Sequence, residues 1–252
     1  MISIVMAYYN RLPQLQATLE SIAESSIASE LEVVIVDDGS LEDQKASLVE
    51  VIPYPFKLNI IYLDPKDKDW VNPCIPFNIG FKAATGDKII IQNPECYHYT
   101  DIPLVVNNVL QENLYLSFPC YSLNEETTEK VKSVDIKDLP NRAMRFDGDL
   151  GWYNHIQHRP VYYHFCSAIM KSDLDELGGF DERYAKGKGF DDNEFLVRIH
   201  RMGMDIGVPE RDLVLHQWHY TGDIATKRNA EWNSKLFHEV TMKEEGYKVN
   251  EN

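Results

Sequence analysis

Short runs of β-branched and aliphatic residues alternate along this chain with stretches whose apolar residues recur every three or four positions, and that alternation constrains the fold most. Residues 2–7 are strand-like, and Pro13 opens a segment with Leu12, Leu15, Leu19 and Ile22 at helical spacing. Residues 31–36 form a second apolar run, followed by the Asp37-Asp38-Gly39 turn, where Ser40 and Asp43 predict a capped helix. A third run covers residues 58–63; residues 77–84 read as a helix stopped by Gly86, and residues 88–92 as a buried strand ending in Asn93-Pro94-Glu95. This rhythm predicts an α/β fold with a mostly parallel central sheet, flanked by helices and joined by right-handed crossovers. In open sheets of that kind, ligands bind beyond the carboxyl ends of the strands.

The second half continues with a helix over 104–110 and a strand over 114–118. A charged stretch at 124–138 reads as a surface excursion. Residues 147–164 concentrate Trp152, Tyr153, His155, His158, Tyr162, Tyr163 and His164 with little periodicity, the mark of a functional loop. A strand over 161–170, a short helix over 173–177 and a helix over 191–202 with Phe195, Leu196, Ile199 and Met202 on one face come next. A last strand, 213–215, runs into His216, and Trp232, Leu236, Phe237 and Val240 mark a C-terminal helix. No Pro/Gly linker divides the chain, so a single domain over 1–222 with a helical tail over 223–252 is expected.

The net charge of -15, from 40 acidic and 25 basic residues, argues against a nucleic-acid partner, which needs clustered cations, and gives no attraction to anionic lipid. The four cysteines form no CxxC pair, so free thiols, a reducing compartment and a cytoplasmic location are expected. No apolar run approaches the roughly 20 residues of a membrane span, and the first residues already form a strand, so the chain reads as soluble and complete.

Four segments carry a resemblance: MAYYNR at 6–11, VIVDDGS at 34–40, PFNIGFKAATGDKIIIQ at 76–92 and GGFDERYAKGKGFDDNEFLVRIHRMG at 178–203. In this order and spacing they resemble family 2-like glycosyltransferases of the GT-A fold, over roughly residues 1–220. The last segment is similar to the C-terminal part of animal β-1,4-galactosyltransferases and polypeptide N-acetylgalactosaminyltransferases. The resemblance implies a UDP-sugar donor, a saccharide or glycoconjugate acceptor, and Mn²⁺ or Mg²⁺ on the diphosphate. It also implies a nucleotide-binding half over 1–100 and an acceptor-binding, catalytic half over 101–222.

Site residues follow from the same resemblance. Asp37 and Asp38 are expected to contact the nucleotide, against the alternative of a turn whose carboxylates bond their own backbone. Tyr8, Asn10 and Arg11 are placed to flank base and diphosphate, with Arg11 the permanently charged phosphate partner. Asn78 is expected to face the donor, or else to cap its own helix. The family's Asp-x-Asp is Asn93-Pro94-Glu95 here, leaving Asn93 for a ribose and Glu95 for a hard cation, unless the three residues form only an exit turn. His216 resembles a third, histidine metal ligand, with His219 and His98 as competitors; mixed nitrogen and oxygen donors suit Mn²⁺. Asp192 matches the acid that deprotonates the acceptor, and Asp191 one that binds a hydroxyl; retaining relatives carry Asn at the Asp192 position, so inversion is expected. A first-turn carboxylate is also simply favoured by the helix dipole. Acceptor contacts are expected in residues 148–158, from Trp152 first and Tyr153, though the same stretch could be a hydrophobic plug.

Four other readings compete. A non-catalytic nucleotide-sugar or glycan-binding module, or a retaining transferase, would share the fold. A sugar-nucleotide pyrophosphorylase needs a Gly-rich basic loop that AYYNRLPQ lacks, and a dinucleotide oxidoreductase needs a GxGxxG after a strand.

Overall fold

The computed structural model describes residues 1–220 and 226–250. Strand β1 (Ile2–Tyr8) is buried at all but Ala7 and leads into helix α1 (Leu12–Ala23), whose Leu15, Leu19 and Ile22 face the core as their spacing requires. Strands β2 (Leu31–Asp37) and β3 (Lys57–Tyr62), helix α2 (Cys74–Ala83) and strands β4 (Lys88–Gln92) and β5 (Cys96–His98) follow. Then come α3 (Ile102–Val109), β6 (Leu114–Ser117), β7 (Cys120–Ser122), α4 (Glu125–Thr128) and β8 (Gly151–Asn154). The chain closes with β9 (Cys166–Met170), α5 (Lys171–Leu177), α6 (Asp191–Met202), β10 (Asp205–Gly207), β11 (Val214–His216) and α7 (Thr226–Glu239).

Seven strands form the central sheet in the order β10-β6-β9-β4-β1-β2-β3. All neighbours are parallel except β9, which runs antiparallel to β4 and β6. β2 is buried at every position, as a parallel strand covered on both faces must be. Register sets the geometry of the edge: Tyr8 lies beside Asp37, and Val5 beside Ile91, so the loops after β1, β2 and β4 leave on one side of the sheet. A second, four-stranded sheet, β5-β11-β7-β8, stands there. Within it Cys96 pairs with His216, which brings Glu95 against the end of β11.

Three local expectations are corrected. Instead of a helix after Asp37, the chain makes 3₁₀ turns at Glu42–Gln44 and Ala46–Val49. The cause is Asp37, whose oxygens accept from the Ser40 and Ala46 amides at 2.9 and 2.8 Å and fold the loop back on itself, while Ser40 Oγ accepts from Asn10 N–H instead of capping a helix. The strand expected from Val161 begins only at Cys166, because Tyr162 adopts a left-handed φ of 57° that no ladder accommodates. The aromatic loop contains strand β8. No described helix is long and apolar enough to cross a membrane.

At the opposite edge of the sheet Glu32 is fully buried, accepting from Ser3 Oγ at 2.6 Å and from Thr85 N and Oγ1 at 2.8 and 2.9 Å, with Lys57 Nζ at 2.7 Å. Burial alone would raise this carboxyl, but Lys57, Ser3 and Thr85 outweigh it and hold it down to about 2. A carboxylate depressed in the folded state stabilises above its unfolded value of 4.5, and that stability is lost as pH falls towards 2. Glu32→Gln is therefore expected to destabilise by about 3 kcal/mol at pH 7. In urea melts the gap from wild type should shrink steadily below pH 4.5; a gap independent of pH would refute the assignment.

Candidate active site

Two clusters of ionisable side chains occupy the strand-exit edge. The first begins where β4 ends: Asn93 N–H donates to Phe165 O at 3.0 Å, and the turn delivers Glu95 to β11. Glu95 is 2% exposed. Its Oε1 lies 3.3 Å from His216 Nε2 and 3.5 Å from His219 Nε2, while Oε2 accepts from Arg11 Nη1 at 2.8 Å. Burial would raise this carboxyl, but Arg11, then His216 and His219, hold it well below the usual carboxylate range. The ligand atoms of Glu95, His216 and His219 lie within 4.8 Å of one another, one oxygen and two nitrogens converging on one point. That donor set fits a divalent ion such as Mn²⁺. His98 stands outside it: its Nε2 meets Gln92 Oε1 at 2.7 Å, and burial pushes its ring down to about 3.

The second cluster sits at the start of α6. Phe190, in the left-handed region at φ 67°, turns the chain so that Asp191 and Asp192 open the helix. Asp191 is buried and accepts from Asn72 Nδ2 at 2.8 Å. Asp192 Oδ1 accepts from the His164 amide at 3.1 Å and faces His164 Nδ1 at 2.5 Å; among the described residues no hydrogen bond reaches Oδ2. Burial raises the Asp191 carboxyl, and the neighbouring Asp192 adds to the rise. Burial disfavours a charged His164, but Asp192 and Asp191 outweigh it and raise the imidazole. These three groups also bring their ligand atoms within 4.8 Å.

Consecutive residues join the clusters. His164 faces Asp192, while the ring of Phe165 stands edge-on to His216 with centroids 6.1 Å apart. Tyr153 completes the junction, its ring 5.2 Å from that of His216 and 4.3 Å from that of Phe165.

The remaining predicted residues divide between framework and rim. Tyr8 is buried, donating to Gln44 O and accepting from Arg11 N–H. Asn10, at a left-handed φ of 51°, donates its N–H to Ser40 and accepts from Leu41 N–H through Oδ1, stitching the loops after β1 and β2 together. Asp37 has both oxygens on backbone amides, the turn-forming arrangement. Asp38 is different: its carboxylate bonds Lys68 Nζ at 2.5 Å and Trp70 Nε1 at 2.9 Å and stays near the surface. Beside it Tyr9, 48% exposed, lies under Lys68 Nζ at 4.9 Å. Asn78 neither caps its helix nor lies free; its amide holds Phe180 O and Phe180 N–H at 2.8 Å each. Asn93 is half-buried.

Trp152 departs from expectation. It is 7% exposed, packs edge-on to Tyr121 with centroids 5.1 Å apart and donates Nε1–H to Asn141 Oδ1, so it is a core residue of the second sheet and no exposed stacking platform. No residue role is readable from the sequence for His164, Asn72, Tyr9 or Lys68. Only His164 carried a signal, as the last histidine of the aromatic stretch.

Residues 3–178 match glycosyl transferase family 2, and the chain belongs to that family. Chondroitin synthase from Escherichia coli is 27% identical over 243 residues, covering 86% of this chain and 34% of that protein. The chondroitin synthase of Pasteurella multocida (strain Pm70) is 27% identical over 242 residues, covering 86% and 24%. The chain thus spans about a third or less of these curated relatives. Among solved structures, GalNAc-T7 with UDP, GalNAc and Mn²⁺ superposes with a TM-score of 0.64 at 15% identity, covering 94% of this chain and 47% of that one. S. aureus TarS 1-349 in complex with UDP gives 0.59 at 18% identity, covering 85% and 59%. Mannosyltransferase PcManGT from Pyrobaculum calidifontis in complex with GDP-Man and Mn²⁺ gives 0.57 at 20%, covering 88% and 58%. The fold shared with these structures is GT-A.

Proposed function

We propose that the chain transfers a sugar from a UDP-sugar to a hydroxyl of a saccharide or glycoconjugate, with inversion at the anomeric carbon and with a divalent ion, Mn²⁺ or Mg²⁺. The observation that carries this reading is the junction at His164 and Phe165, which sets a cation-suited cluster beside a pair of carboxylates at one sheet edge. The structures of GalNAc-T7 with UDP and Mn²⁺ and of TarS with UDP support the choice of donor.

Glu95, His216 and His219 would hold the divalent ion, which when bound neutralises charge on the leaving diphosphate. Arg11 fixes Glu95 through one N–H and keeps further donors for phosphate oxygens. Asp38 and the exposed ring of Tyr9 form the rim for the base, with Tyr8, Asn10 and Asp37 shaping the loops beneath, and Asn93 reaches the ribose. Tyr153, beside His216, is the acceptor-side aromatic. His164 holds Asp192 by Oδ1, leaving Oδ2 to take the proton of the acceptor hydroxyl as its oxygen bonds the donor C1. The C1–oxygen bond to the diphosphate breaks in the same step and the diphosphate departs with the electron pair. Asp191, raised by burial and by Asp192, retains a proton more readily and suits a hydrogen bond to a sugar hydroxyl. Four buried free cysteines suit work in the reducing cytoplasm, on a glycan-assembly reaction.

The test is a panel of UDP-sugars and GDP-mannose with oligosaccharide acceptors and Mn²⁺, the product followed by proton NMR. One UDP-sugar should be consumed and give a product of opposite anomeric configuration to the donor. A retained configuration contradicts inversion, and transfer from GDP-mannose alone contradicts the UDP assignment.

A further inference from the structure

The segment between Gly178 and Phe190, which delivers the Asp191-Asp192 pair, is gripped by the C-terminal part of the chain. We propose that Asn233, on α7, is the positioning residue that sets these two carboxylates for transfer. The inference rests on the reading of Asp192 as the proton acceptor.

Asn233 is fully buried, and its Nδ2 donates to Tyr184 O at 3.1 Å and to Gly189 O at 2.7 Å. Two carbonyl oxygens can be met only by a donor, which fixes how the amide points. The acceptors lie at the two ends of the turn that precedes Asp191. Gly189 and Phe190 have φ of 69° and 67° there, and a non-glycine residue keeps such a conformation only where its surroundings over-determine it.

The chain beyond α7 reinforces the grip. Thr241 Oγ1 meets Tyr184 Oη at 2.6 Å, Glu244 pairs with Arg183 at 2.7 Å, and Asn250 Nδ2 donates to Gly178 O and Phe180 O at 2.9 and 2.7 Å. A side chain at Gly178 would place its Cβ 2.1 Å from Val249 O, so glycine is what admits the tail. On the far side Asn78 holds Phe180 from α2. The acid-bearing segment is therefore bonded both to the donor half and to the C-terminal segment. A misplacement of about 1 Å in a reacting group can lower a rate by roughly a hundredfold.

The decisive variant is Asn233→Asp in the full chain, which keeps the size and turns a carboxylate oxygen on two carbonyls. Amide hydrogen exchange should quicken over residues 184–192 and stay at wild-type rates over 88–98. With Mn²⁺ present, UDP affinity should change less than about twofold, and kcat should fall about 10- to 100-fold with acceptor KM changed less than threefold. Tyr184→Phe, which removes only the bond to Thr241, should move both readouts in the same sense by less, and it covers the case in which Asn233→Asp fails to fold. Wild-type exchange over 184–192 in a folded Asn233→Asp, or UDP affinity falling in step with kcat, overturns the proposal. If the wild type transfers no sugar, the functional reading fails while the exchange experiment still decides the grip.

Discussion

Asp192→Asn is expected to lower kcat by about a thousandfold while leaving Mn²⁺-dependent UDP binding unchanged, since positioned proton transfer contributes 10²- to 10⁴-fold. The substitution keeps the size of the side chain and its contact with the His164 amide, and removes only the basic oxygen. Asp191→Asn keeps an acceptor for Asn72 and is expected to cost less, about tenfold, with the loss in acceptor KM. Single-turnover transfer and UDP calorimetry on both variants separate the roles. A drop of less than tenfold for Asp192→Asn would assign the proton to another group.

Glu95→Ala is expected to weaken UDP binding in the presence of Mn²⁺ about 100-fold and to leave the weak binding seen in EDTA unaltered. Among the described residues the carboxylate is the only oxygen donor of its cluster, and both histidines are aligned on its Oε1. Its loss also releases Arg11, whose side chain is one-third exposed and can turn to water, so the variant should fold. His216→Ala and His219→Ala should each weaken the metal effect, whereas His98→Ala should not, because His98 is bonded to Gln92 away from the cluster. Equal Mn²⁺ dependence in wild type and Glu95→Ala would contradict the metal assignment.

Much of this site was legible because its carriers are long, periodic elements. β1, β2 and β4 are apolar runs whose carboxyl ends place Arg11, Asp38 and Glu95 on one edge, and α6 shows its apolar stripe plainly. The second sheet was legible only at β11, marked by the apolar run before His216: β5 and β7 are three residues each, too short for any period, and Cys96 pairs with a His216 far away in sequence. His164 stayed hidden because its meaning lies in Asp192, which no local pattern connects to it. Trp152 misled because aromatics rich enough to bind a sugar are equally what a small core uses, as its contact with Tyr121 demonstrates. Asn78 looked like a cap or a ligand, and its partner Phe180 lies in a loop that only the folded chain brings near.

The most direct measurement is calorimetric titration of UDP into the wild-type chain in Mn²⁺ and again in EDTA. UDP should bind at least tenfold more tightly with Mn²⁺, as a cation-bridged diphosphate at Glu95, His216 and His219 requires. Equal affinity in the two buffers, or no binding of UDP in either, would contradict the central claim that this edge of the sheet is a metal-dependent nucleotide-sugar site.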